Sequence, residues 1–398
     1  LINETIKKVV KENSEEMISI RQKLHSEPEL SWEEYKTSQY VYEYLQKLGI
    51  ECRKTEPTGV IGELAGGKPG KTVALRADMD ALSVEELNED LPYKSGEKGK
   101  MHACGHDAHT AMLLAAAKAL AEVKEDLPGT VRFIFQPAEE VATGAKAMVE
   151  QGAVEGADNV FGIHIWSQSP THSVSCSPGP SFASADIFKV NFKGRGGHGA
   201  MPQACIDAAV IASSFVMNIQ SVVSRTIDPA QPAVITVGKM VVGTRFNVIA
   251  ENAEIEGTVR CFDPEVRDHI EKQLQIYADH TASVYGGTAE LEYMRGTQAV
   301  INGTESAELV QQVAVEAFGE DRLYDEKPTM GGEDFSFYLD EVPGSFALVG
   351  SGNPEKDTEW AHHHGKFNVD EEALETGAEL YAQYAWAYLT KQEGHDGF

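Results

Sequence analysis

Basic residues are scarce in this chain: 34 Lys and Arg stand against 62 Asp and Glu, a formal net charge of −28. So acidic a surface repels phosphate backbones and anionic lipid, so neither nucleic acid nor a membrane is expected as a partner. Long apolar runs are missing as well, and no uninterrupted stretch approaches the ~18 residues that a membrane span needs. The stretch from Leu1 to Ile20 is rich in Lys and Glu, with no apolar block or small-residue cleavage site of a signal peptide. The five cysteines (Cys52, Cys104, Cys176, Cys205, Cys261) are odd in number and scattered, with no C-x-x-C pair. That usage argues against a disulfide framework and leads us to expect a reducing cytoplasm. Internal repeats and low-complexity tracts are absent too.

What remains is a folded-protein composition, 42% hydrophobic and 24% charged, over 398 residues. That length is too great for one ordinary core, so two domains are expected. Ser31-Trp32-Glu33-Glu34 matches a capping box, and Gly49 follows the last periodic residue, which together predict a helix between them. Apolar runs at residues 60–64, 72–75, 131–135 and 160–165, with a helix predicted over 107–123, alternate as in an α/β layer whose sheet is largely parallel.

Near residue 183 the texture changes. Strands predicted over 186–192, 233–242, 253–262 and 289–294 alternate with helices over 204–225 and 264–284. That β-α-β-β-α-β order is the split arrangement of ferredoxin-like units. Helices over 305–318 and 371–391 and a strand over 345–349 complete the chain. The fold class is therefore α/β, with residues 1–182 and 297–398 forming a catalytic domain. Residues 183–296 form an inserted α+β domain.

Chemically rich segments follow directly on apolar runs. Val73-Ala74-Leu75 leads into Arg76-Ala77-Asp78-Met79-Asp80, Phe133-Ile134-Phe135 into Gln136-Pro137-Ala138-Glu139-Glu140, and Val160-Phe161-Gly162-Ile163 into His164. Sites in open α/β sheets form at the carboxyl ends of strands, so these segments can converge. Cys104-Gly105-His106-Asp107 at a helix start and His362-His363-His364 in a late loop add thiol and imidazole. Thiolate, imidazole and carboxylate together suit zinc or another first-row divalent ion. Of two neighbouring glutamates, one can bind metal while the other carries protons. A rival reading makes Cys104 a nucleophile with His106 as its base, although that leaves Glu140, His164 and His363 without a role. A second rival is a binding protein without catalysis.

From Leu24-His25-Ser26-Glu27-Pro28-Glu29-Leu30 to Val369-Asp370-Glu371 the chain resembles the dinuclear metallopeptidases and aminoacylases. The specific motifs are Arg76 to Leu82, Cys104-Gly105-His106-Asp107, Gln136 to Glu140, Gly196-Gly197-His198 and Gly331-Gly332-Glu333-Asp334-Phe335. The branch is similar to the bacterial N-acyl-amino-acid amidohydrolases, which include hippurate hydrolases and the plant hydrolases of indoleacetyl-amino acids. The resemblance implies two divalent ions, zinc or manganese, held by Cys104, His106, Glu140, His164 and His363. His363 is taken from its triplet because it lies four residues before Phe367. Glu139 becomes the general base. The wider family carries a His-x-Asp ligand motif where this chain has Asp78-Met79-Asp80, so Asp80 is placed behind the ligands. His198 is implied as oxyanion stabiliser, and Asn247 and Arg260 as holders of a substrate carboxylate. The implied substrate is a small N-acyl-amino acid, and the inserted domain is implied to act as lid and as homodimer contact. A dipeptidase or an N-acetyl-diaminopimelate deacetylase would use the same machinery.

Overall fold

The structure, a computed structural model, describes residues 2–391. It divides into two units. The first comprises Leu1–Ser181, Ile301–Lys327 and Asp334–Phe398, and the second Phe182–Val300 with Pro328–Glu333. The short stretches 297–300 and 328–333 thus group with the second unit, although the sequence placed them in the catalytic domain. The return stretch 328–333 carries Thr329 and Gly331, whose carbonyls both accept the Ala183 N–H at the start of that unit.

The first unit is built on a seven-stranded mixed sheet. Its order is Glu51–Thr55, Gly59–Ala65, Pro128–Gln136, Lys68–Asp78, Asn159–Pro170, Gly344–Gly352 and Val174–Ser175. The four strands in the middle of the order, from Pro128–Gln136 to Gly344–Gly352, run parallel, and every pairing outside them is antiparallel. Being parallel, the middle strands present their carboxyl ends on one side, and the chemistry-bearing segments continue from those ends. The helix His106–Glu122 is buried almost all round, which fits its Ala- and Leu-rich sequence. It packs against the closing helix Ala373–Thr390 and on the strand Lys68–Asp78. Tyr381 of the closing helix ties two strands together: its hydroxyl accepts the Ile163 N–H at 3.0 Å and donates to the Arg76 carbonyl at 2.6 Å.

The second unit holds a four-stranded antiparallel sheet in the order Ala233–Val242, Asn252–Cys261, Ser184–Lys193, Thr288–Arg295. Alternate residues Phe188, Val190 and Phe192 turn inward and pack with Ile211, Phe215, Ile270 and Leu274 of its helices.

Two local expectations are corrected. The helix expected to start at Ser31 begins at Tyr35 and runs to Lys47; Glu34 is its N-cap residue, but its side chain makes no capping hydrogen bond, and Ser31 lies outside the helix. Both side chains make distant contacts instead, described below. The long helix expected over 204–225 is broken. A short 3-10 turn over Pro202–Ala204 precedes a helix Ala208–Asn218, capped by the Asp207 side chain on the Ala209 N–H, and a second helix covers Gln220–Thr226. Among the described residues no helix is long and apolar enough to cross a membrane.

Candidate metal centre

Asp78 ends one parallel strand with Asp80 two residues on, Gln136 ends the next with Glu139 and Glu140 beyond it, and His164 lies within a third. The helix start at His106 completes the set. Gly105 just before it has φ +95, and a Cβ there would meet Ile165 Cγ2 at 2.5 Å, so only glycine lets the Cys104–His106 turn approach this strand.

Cys104 Sγ lies 3.5 Å from His164 Nε2. The other His164 nitrogen, Nδ1, donates to the Ile165 carbonyl at 2.6 Å, which leaves the Nε2 lone pair aimed at the thiol. His106 is turned the same way: Nδ1 donates to Asp80 Oδ1 at 3.2 Å, and Nε2 faces a group of carboxylates. Asp78 Oδ2 stands 3.7 Å from that Nε2, and Glu139 Oε2 and Glu140 Oε1 each stand 3.8 Å away. Among the described residues, both His106 Nε2 and Glu140 Oε1 are buried without a hydrogen-bond partner. Ligands about 2.0–2.3 Å from one ion stand about 3–4 Å apart, so these spacings suit a shared cation. Donor atoms of Cys104, His106 and Glu140 lie within 4.8 Å of one another, as do those of Cys104, His164 and His362 and those of Asp78, His106 and His109.

The electrostatics point the same way. Burial, then Glu140, Glu139 and Asp78, push the Cys104 thiol well above its usual range. Against the opposing effect of burial, Asp78, Asp80 and Glu140 push His106 up to about 10. A pocket that keeps a thiol protonated and an imidazole charged has an excess of negative potential, which a divalent cation neutralises while releasing those protons. Burial, with His109 and His362 adding to it, holds His164 well below its usual range, in the neutral form that ligates.

The histidine triplet is divided. His363 Nε2 is 3.5 Å from Glu140 Oε2, on a half-exposed side chain. Its backbone has φ 68, a strained value for a non-glycine residue, and its N–H donates to the Ala103 carbonyl at 2.8 Å. His362 is stacked on Trp166 with ring centroids 4.7 Å apart, and its Nε2 accepts the Ser167 N–H at 3.3 Å. His364 turns away, stacked on Trp360 at 4.6 Å.

Around these groups lies a shell that sequence reasoning largely missed. Asp80 was placed behind the ligands, and its carboxylate takes four donors: His106 Nδ1, the Ser31 hydroxyl at 2.7 Å, and the Glu139 and Glu140 N–H groups at 3.1 Å each. Asp78 binds Arg76 at 2.7 Å and His109 Nδ1 at 2.6 Å, while His109 Nε2 accepts the Ile165 N–H at 2.8 Å. Asp334 joins Arg76 at 3.0 Å, Gln136 at 2.9 Å and the Ala145 N–H at 2.8 Å. Asp78, Arg76, Gln136 and Asp334 all lie in motif stretches noticed in the sequence. His109 is one helical turn from His106, a spacing that could have drawn attention to it.

In the second unit, His198 and Asn247 are brought to one turn. His198 pairs with Val248 in a two-residue ladder, and the Gly199 N–H donates to the Asn247 carbonyl at 2.9 Å. The His198 side chain is exposed, with Nδ1 accepting the Ala200 N–H at 3.1 Å. Arg260 lies on the strand Asn252–Cys261, with its guanidinium on Thr258 Oγ1 and on the Val259 carbonyl at 3.1 Å.

Comparison with known proteins agrees with this chemistry. The profile of Peptidase family M20/M25/M40 matches residues 74–387. Thermostable carboxypeptidase 2 of Saccharolobus solfataricus is 41% identical over 393 residues, 98% of this chain and 99% of its own. N-acetyl-L-cysteine deacetylase of Bacillus subtilis is 40% identical over 360 residues, 90% of this chain and 85% of its own. Among solved structures, the Bacillus subtilis YXEP protein, a dinuclear metal-binding peptidase of the M20 family, has a TM-score of 0.85 and 33% identity, covering 95% of this chain and 99% of its own. A thiol, imidazoles and carboxylates converging at strand ends, on a chain matched over most of its length, place this protein in the M20/M25/M40 peptidase family as an amide-hydrolysing metalloenzyme.

Proposed function

We propose that this enzyme cleaves N-acyl-L-amino acids into a carboxylic acid and a free amino acid. The observation that carries the reading is the pair of adjacent glutamates: Glu140 points an unpartnered buried oxygen into the donor cluster, with Glu139 beside it. Two divalent ions, zinc or manganese, supply Lewis acidity for the amide carbonyl and for water when bound. Cys104, His106, Glu140, His164 and His363 hold them in this reading. His363 is taken from the resemblance and its Nε2 faces Glu140, while His362, whose Nδ1 is buried without a hydrogen-bond partner among the described residues and whose ring lies by Cys104 and His164, is its rival.

Glu139 takes the proton of the attacking water and delivers it to the leaving amine. His198 steadies the developing oxyanion. Asn247 and Arg260 hold the carboxylate of the amino acid. Among the described residues Arg260 makes no ion pair, which leaves its fork available to an incoming carboxylate. The cysteine-nucleophile alternative is weakened by the upward push on the Cys104 thiol, since the thiolate is the reactive form.

The second unit serves as lid and as contact of a homodimer in this proposal, and the five free cysteines suit a cytoplasmic setting. A carboxypeptidase or dipeptidase reading is favoured by one observation, the name of the Saccharolobus relative. A panel of N-acetyl-, N-benzoyl- and N-aminoacyl-amino acids, assayed with added Zn2+ or Mn2+, separates the two. Acyl-amino acids turned over well ahead of dipeptides support the amidohydrolase, and the reverse order replaces it.

A further inference from the structure

Glu34 is fully buried, and its hydrogen bonds come from three donors. Oε2 accepts the Thr58 hydroxyl at 2.7 Å. Oε1 accepts two backbone N–H groups, that of Trp32 at 3.0 Å and that of Ala138 at 2.9 Å. Both of those residues sit in the left-handed region, with φ 67 at Trp32 and φ 54 at Ala138. A non-glycine residue held there costs about 1–3 kcal/mol and persists only where its surroundings over-determine it. One carboxylate oxygen thus pins two strained residues at once.

The second of them opens the turn that carries Glu139 and Glu140. The N–H groups of Ala138, Glu139 and Glu140 go in succession to Glu34 Oε1, Asp80 Oδ1 and Asp80 Oδ2. Ser31, three residues before Glu34, donates to the same Asp80. A side chain whose sequence context reads as a local helix cap is therefore part of the support of the site's acidic turn.

We infer that Glu34 is a positioning residue for the Glu139–Glu140 turn, acting through the Ala138 N–H as a hydrogen-bond acceptor of the right length. The inference rests on the roles proposed for Glu139 and Glu140. Burial, with Asp80 adding to it, pushes the Glu34 pKa up to about 7, against the Thr58 and backbone hydrogen bonds that lower it. The acceptor role is independent of charge, and this decides the choice of variants.

Glu34→Gln keeps one carbonyl oxygen for both N–H groups and offers its amide to Thr58 Oγ. Glu34→Asp keeps the charge but is one methylene too short to reach Ala138. The full-length protein and both variants are titrated with Mn2+, assayed for kcat and KM, and melted. Glu34→Gln should stay within about threefold of the parent in metal affinity and kcat. Glu34→Asp should lose ~10–100-fold in metal affinity, kcat or both at little-changed KM, the range for groups that orient ligands. The proposal is overturned if Glu34→Asp matches the parent, if Glu34→Gln fails as badly as Glu34→Asp, or if the loss is accounted for by the unfolded fraction. If the parent hydrolyses no N-acyl-amino acid, the substrate reading fails, yet the order of Mn2+ affinities still decides the role of Glu34.

Discussion

His106 Nε2 and Glu140 Oε1 lie 3.8 Å apart, both buried and neither with a hydrogen-bond partner among the described residues. At 3.8 Å the pair is too far apart for a hydrogen bond, and a cation between them that displaces the His106 proton takes a lone pair from each. A divalent cation does so, and the shell behind them is arranged for it. The following expectations come from that arrangement.

Asp80 should act on the metals without touching them. Asp80→Ala removes the acceptor that sets the His106 tautomer and frees the Glu139 and Glu140 N–H groups. Metal affinity or activity should fall ~10–100-fold, measured by ion titration alongside turnover. Unchanged affinity and turnover would show that the carboxylate does not orient His106.

The triplet can be resolved by substitution. His363→Ala should bind one ion less per chain, or bind it far more weakly, by elemental analysis after gel filtration. His362→Ala should keep both ions and lose stability through its stack on Trp166. The opposite outcome would move the fifth ligand to His362.

Part of this candidate site was legible because the segments that carry Asp78 and Asp80, Glu139 and Glu140, and His164 follow or continue apolar runs, and those runs form parallel strands whose ends align. What escaped reading depends on contacts far along the chain. The capping-box pattern at Ser31 and Glu34 is a local signature, but the same hydroxyl and carboxylate reach Asp80 and Ala138, 49 and 104 residues away. Asp334 meets Gln136 across 198 residues, which no local pattern reports. The helix expected over 204–225 failed for a different reason. Its apolar residues continue through Ile219, while Asp207, a strong capping residue, starts the helical turn later than the periodicity suggests.

Arg260 should discriminate between substrates. Arg260→Ala is expected to reduce kcat/KM for acyl-amino acids far more than for the matching amides, which lack the carboxylate. Equal losses on both would make the residue structural.

The proposed homodimer can be tested by subunit exchange. If His198 serves the partner's metals, mixing inactive His198→Ala with inactive Glu139→Gln should restore part of the activity, since one site then has both residues. Heterodimers verified by mass that stay inactive would confine His198 to its own chain, or remove it from the reaction.

The division of labour between Glu139 and Glu140 is the centre of the account, and one comparison tests it most directly. Metal content and kcat are measured for Glu139→Gln and Glu140→Gln, prepared side by side. Glu139→Gln should retain two ions per chain and lose ~10²–10⁴-fold in kcat, the range for a positioned acid and base. Glu140→Gln should lose metal. Equal metal loss in both variants, or a fully active Glu139→Gln, would contradict the assignment.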